Sequence, residues 1–283
     1  MSFPAKFQEY TTRIAGEKRL GSSALAELAL NALAALADET DMHILLERAV
    51  GLVRNLRPSM PLIGRVAEEA LYRYQELVEK AGDADYGRIL LRAVDEVRRE
   101  YHLMVEQIVE NAQKLIADKR RVATISYSGT VKQVLTSPKW SGSVVILESR
   151  PMREGFMLAE ELSSVRRVEV MVDAAMSYAV ADADAILVGA DAVFRKGGFI
   201  GKIGCYPLCT LAQKAGKPVY VLADTWKFSD RLDIALEEGD PEEVWPEAGS
   251  SIKIRNPYFE VTPHELVTAY VTEHGVVGSD SLV

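Results

Sequence analysis

The sequence predicts an α/β protein in which a helical N-terminal domain precedes a doubly wound parallel sheet. Three observations carry that reading. Apolar residues recur at spacings of three and four from residue 3 to about 118. After residue 120 the apolar runs become short and rich in Val and Ile. Those runs then alternate with helical stretches, which spells βαβ units with right-handed crossovers. The boundary divides the chain into a helical domain, 1–120, and an α/β domain, 121–283.

In order along the chain, ALAELALNALAALADE (24–39) is rich in Ala, Leu and Glu, with Ser22 and Ser23 as caps. MHILLERAVGLVRNLR continues the helical pattern until Pro58 and Pro61 interrupt it, and the stretch beginning at Tyr86 reads as one long amphipathic helix. RVATISYS, SVVILES, RRVEVMVD, DAILVGAD and KPVYVLAD are the expected strands, with helices over 129–137, 157–164, 174–180 and 203–215 between and after them. VFRKGGFIGKIG is expected to be a glycine-rich loop leading into the last of these helices. Beyond it, 236–251 reads as an acidic surface loop, and the C-terminal stretch holds one or two further strands, with Thr262 capping and Pro263 opening a short turn.

Composition narrows the function classes. The 283 residues are 48% hydrophobic, enough for a sizeable core. A net charge of -8 without a basic block argues against direct nucleic-acid binding. No apolar run reaches membrane-spanning length and residues 1–20 lack an apolar signal core, so a cytoplasmic location without membrane contact is expected. Cys205 and Cys209 lie four apart on a helix and read as reduced thiols packed on one face. The four histidines, His43, His102, His264 and His274, show no metal-ligand spacing, and no Gly-x-Ser-x-Gly elbow is present. No metal and no cofactor are expected.

In a doubly wound sheet ligands bind outside the carboxyl ends of the strands. The groups expected there are Ser126, Ser128, Glu148, Asp173, Asp191 and Asp224. Any one of these carboxylates is also a natural helix cap or loop anchor. Asp191 stands apart because it heads the glycine loop. Gly197, Gly198, Gly201 and Gly204 let backbone amides face a ligand, the following helix N-terminus favours an anion, and Lys202 adds a cation. Ser128, Gly129 and Thr130 form a second strand-to-helix turn of the same kind. An ordinary strand-loop-helix turn explains the glycine spacing equally well, since it matches no nucleotide-binding fingerprint. Lys227, between Trp226 and Phe228, faces the same mouth or is a surface lysine between packed aromatics.

GADAVFRKGGFIGKIG, KPVYVLADTWKF, NPYFEVTP and VTEHG together resemble the family of the alpha, beta and delta regulatory subunits of translation initiation factor 2B. Its enzyme relatives are methylthioribose-1-phosphate isomerase and ribose-1,5-bisphosphate isomerase. The resemblance implies a Rossmann-like C-terminal domain, a phosphorylated sugar or nucleotide as ligand, and a homodimer or higher homo-oligomer. It makes Asp191 the catalytic acid and matches Lys202 and Lys227 to the family's lysines. Ser128, with Gly129 beside it, falls just beyond the catalytic cysteine position. Arg57 falls on a phosphate-binding arginine, and Gly21 with Ser22 on a phosphate motif.

The departures matter as much. Ser126 stands where the isomerases have cysteine, Gly201 replaces an asparagine and Leu20 an arginine. A hydroxyl is a poor base unless a neighbour activates it, so Asp191 and Ser126 are the expected catalytic pair. Two functions follow from the resemblance: an aldose–ketose sugar-phosphate isomerase, or a non-catalytic regulatory subunit sensing a sugar phosphate or nucleotide.

Overall fold

The computed structural model describes residues 2–81, 85–195, 197–230 and 234–278. It divides into two compact units, Met1–Met104 and Val105–Val283.

The first unit is helical: α1 (Ala5–Gly16), α2 (Ser22–Ala34), α3 (Met42–Val53), α4 (Pro61–Ala81) and the first part of α5 (Tyr86–Ile116). α2 packs against α1 and α4, burying Leu25, Ala29, Leu30 and Leu33 on faces set by the helical period. Gly21 is the N-cap of α2, so Ser22 and Ser23 form its first turn instead of capping it. Pro61 opens α4, where a missing N–H is harmless.

The second unit includes the end of α5 because Ile108, Ala112 and Ile116 lie in the same buried cluster as Val122, Val144, Ile146 and Leu187 of the sheet. Its elements are β1 (Arg121–Ile125), α6 (Gly129–Thr136), β2 (Ser143–Leu147), α7 (Glu154–Ser163), β3 (Val168–Met171), α8 (Met176–Asp182), β4 (Ala185–Gly189), β5 (Ala192–Phe194), β6 (Gly198–Lys202), α9 (Cys205–Lys214), β7 (Val219–Leu222), β8 (Phe228–Ser229), β9 (Phe259–Thr262), β10 (Ala269–Thr272) and β11 (Gly275–Gly278).

A seven-stranded sheet runs in the order β11-β10-β7-β4-β1-β2-β3. Its pairs are parallel except β10 with β11. β1, β2 and β4 are buried along almost their whole length, as a sheet covered on both faces requires. After β3 the chain returns to the other side of β1, so strand order reverses between β1 and β4. Ligands of such sheets bind in the crevice that this reversal opens.

A smaller sheet, β8-β5-β6-β9, corrects the sequence reading of the glycine-rich segment. The segment is an antiparallel hairpin, with Ala192 opposite Ile200 and Phe194 opposite Gly198, extended by β9 on β6. Gly198, at φ 137°, lies so close to the Thr262 carbonyl oxygen that a Cβ there would overlap it. The C-terminal stretch holds three strands where one or two were expected, and Thr262 ends β9 while Pro263 precedes the short turn His264–Leu266.

Candidate functional site

Both groups that flank the switch point come from the chain segments that leave its two strands. β1 ends at Ile125 and β4 at Gly189, and the two pair in parallel with Ala123 beside Ile186. Ser126 therefore leaves one strand and Asp191 the other, at the same carboxyl edge of the sheet. Ser126 takes a positive φ of 66°, uncommon for a residue with a side chain and a local strain that clusters at functional positions. Asp191 is half-buried, and its N–H donates to the Ile200 carbonyl at 2.8 Å, which holds it at the base of the hairpin.

Ser128 caps α6, its Oγ accepting from the Val131 N–H at 3.4 Å, and Gly129 is the first residue of that helix. A Cβ at Gly189 would sit 2.5 Å from the Ser128 Oγ, so glycine is what lets the β1–α6 turn close onto the end of β4. Ser126, Ser128, Gly129 and Asp191 are thus gathered at one crevice.

The cations expected to attract a phosphate each have an internal carboxylate. Lys202, on the last position of β6, is 2.5 Å through Nζ from the Glu154 Oε1 and 4.9 Å from the centre of the Tyr258 ring. Glu154 is 2% exposed and its Oε2 has no hydrogen-bond partner among the described residues. Lys227 is not a surface lysine: it is 4% exposed and lies 3.3 Å from the fully buried Asp224 carboxylate. Burying such pairs holds their geometry, because removing either partner strands a charge in the interior.

The N-terminus of α9 also has its anion already. Glu260, opposite Gly201 on β9, accepts from the N–H groups of Gly204 at 2.6 Å and Tyr206 at 2.8 Å. Burial raises its carboxyl above the usual range, against the lowering effect of those backbone donors. The helix terminus thus stabilises a side chain of the protein itself.

Asp173 is a loop anchor, its carboxylate accepting from the N–H groups of Ser149 at 2.9 Å and Arg150 at 2.7 Å. Cys205 and Cys209 are buried free thiols of α9. Burial pushes Cys205 well above its ordinary value and Cys209 up to about 12, so neither is a thiolate at neutral pH. His264 is a satisfied core residue, Nε2 donating to the Phe194 carbonyl at 2.9 Å and Nδ1 accepting from the Tyr270 hydroxyl at 2.8 Å. Among the described residues no group of three or more His, Cys, Asp or Glu gathers to hold a metal, and no helix is long and apolar enough to cross a membrane.

Gly21, Ser22 and Arg57 belong to the helical unit. Arg57 is buried and donates through Nη1 to the Glu17 carbonyl at 2.6 Å and to that of Ile14 at 3.4 Å, tying down the end of α1. Sequence reasoning missed Glu154, Tyr258 and Glu260. A glutamate opening a helix and another on a short strand look ordinary, and only the fold brings them 48 and 56 residues along the chain to Lys202 and Gly204.

Residues 13–279 match the model of the initiation factor 2 subunit family. The solved translation initiation factor eIF-2B of Pyrococcus horikoshii OT3 is 28% identical, with a TM-score of 0.84 and 97% of each chain covered. 5-methylthioribose 1-phosphate isomerase of the same organism superimposes with a TM-score of 0.80 at 25% identity, over 98% of this chain and 86% of its own. A ribose 1,5-bisphosphate isomerase of Methanocaldococcus jannaschii is 28% identical over 275 residues, 93% of this chain and 87% of its own. The chain belongs to the initiation factor 2 subunit family.

Proposed function

We propose that the chain binds a phosphorylated sugar in the crevice between β1 and β4 and interconverts its aldose and ketose forms, with Asp191 and Ser126 as the groups that act on it. The observation that carries this reading is the placement of Asp191 and a strained Ser126 at the ends of the two strands where the sheet reverses order. Isomerisation moves hydrogen between neighbouring sugar carbons and their oxygens. A carboxylate at the crevice can take and return a proton, and the Ser126 hydroxyl can donate to an oxygen that gains charge. Lys202 and Lys227, held by Glu154 and Asp224, give the pocket wall fixed dipoles, while the N-terminus of α6 faces the phosphate. Within the helical unit, Gly21, Ser22 and Arg57 are proposed phosphate-binding residues in their own right, and the reading takes the working form to be a homodimer or higher homo-oligomer in the cytoplasm.

A second reading, a regulatory subunit that senses a sugar phosphate or nucleotide, is favoured by two observations: a hydroxyl stands at 126, and both thiols of the chain are buried with their pKa values raised by that burial. Thermal-shift titration with ribose 1,5-bisphosphate, methylthioribose 1-phosphate and nucleoside monophosphates tests the pocket. Stabilisation with turnover supports the isomerase, stabilisation without turnover supports the sensor, and no stabilisation overturns both.

A further inference from the structure

The amino ends of β1, β2 and β3, opposite the switch-point crevice, border a second cleft of about 680 Å³. Its walls are the three segments that lead into those strands, 117–120, 139–143 and 163–167. Lys119, Arg120, Lys139, Arg166 and Arg167 line it against a single acid, Asp118. In a chain of net charge -8 this gathers five cations at one cleft, beside Asp118 and the Asp184 carboxylate, which accepts from the Arg120 N–H at 2.8 Å. Asp118 is engaged with Lys119 at 3.1 Å, whereas Arg120, Lys139 and Arg167 are exposed and, among the described residues, in no salt bridge.

The cleft is held in shape before any ligand arrives. Trp140 is 3% exposed and its Nε1 donates to the Lys119 carbonyl at 2.8 Å, tying the first segment to the second. The Arg166 guanidinium lies 5.6 Å over the Trp140 ring and donates to the carbonyls of Val165, at 2.6 Å, and Ser137. The Arg166 Nε is buried without a hydrogen-bond partner among the described residues. A planar cation fixed this way loses little freedom when it meets an anion. The volume far exceeds one phosphate group, and the one aromatic ring is covered, so no face is open for a base to stack on.

We propose that this cleft binds a compact polyphosphate anion, either free or as the phosphate chain of a nucleotide, separately from the switch-point crevice. Calorimetric titration of the intact protein with tripolyphosphate and with ATP tests it. The combined variant Arg120→Ser, Lys139→Ser, Arg167→Ser removes only exposed side chains and is expected to weaken tripolyphosphate binding by about tenfold or more. Asp191→Asn and the pair Lys214→Ser, Lys253→Ser, whose lysines are exposed elsewhere, leave it unchanged. ATP binding as tightly as tripolyphosphate assigns the site to nucleotides, and weaker ATP binding assigns it to the free anion; both support the proposal. Four results overturn it: no binding to the intact protein, an undiminished affinity in the combined variant, equal weakening by the distant lysine pair, or tighter binding of a single-stranded RNA oligonucleotide than of tripolyphosphate.

Discussion

Ser126 and Asp191 illustrate what single residues contribute. A side chain held at φ 66° costs about 1 kcal/mol or more, and β1 and α6 hold it there from either side. Replacing Asp191 by Asn keeps the shape and removes the proton acceptor. Asp191→Asn is therefore expected to abolish turnover while sugar-phosphate affinity stays within about tenfold of the parent, measured by steady-state kinetics beside calorimetry. An equal loss of binding would count against the acid–base role. The thiols give an independent check at the same scale. Cys205 and Cys209 are buried with raised pKa values, so iodoacetamide at neutral pH labels neither in the folded protein and both after unfolding, read by mass spectrometry. Labelling in the folded state would reopen a thiolate as the base.

The β5–β6 hairpin is where elements and sequence reading part. Five of the six parallel strands of the large sheet, and the helices α6 to α9 that alternate with them, were legible because Val- and Ile-rich runs alternated with helical stretches. The hairpin was not, because β5 has only three residues and two consecutive glycines resemble a loop. Gly198 is needed there for its positive φ and for the close carbonyl of Thr262. Gly198→Ala is expected to destabilise by ~1–3 kcal/mol, seen as a lower Tm, by pulling β6 from β9. Glu260 on β9 gives the pH test. Its folded carboxyl pKa is raised, chiefly by burial, so ionisation is harder in the folded state than in the unfolded one. As pH rises from the unfolded value of about 4.5 through the folded one, the native protein loses stability that a neutral side chain keeps. Glu260→Gln, which retains an acceptor for the α9 amides, is expected to gain Tm relative to the parent across that window, and a gain that is the same at every pH would contradict the raised value.

For the molecule as a whole, the family and the general architecture could be read from the order of motifs, whereas the electrostatics of the site could not. Lys202 and Lys227 are chemically plausible phosphate ligands in the sequence, yet the fold gives each a buried carboxylate first. Asp224 and Lys227 lie three residues apart and Glu154 and Lys202 lie 48 apart, so only the first pairing was within reach of local sequence. The chain thus combines an acid at the switch point, a hydroxyl where its enzyme relatives are expected to hold a thiol, and two buried ion pairs, Lys202 with Glu154 and Lys227 with Asp224. Whether that assembly performs chemistry is decided most directly by NMR of ribose 1,5-bisphosphate and methylthioribose 1-phosphate incubated with the intact protein in deuterated water. An isomerase with Asp191 as its acid–base group yields ketose signals from one of these sugars and loses them in Asp191→Asn. Aldose signals that persist unchanged, alongside clear binding of the same sugar, would contradict catalysis and leave a sugar-phosphate sensor.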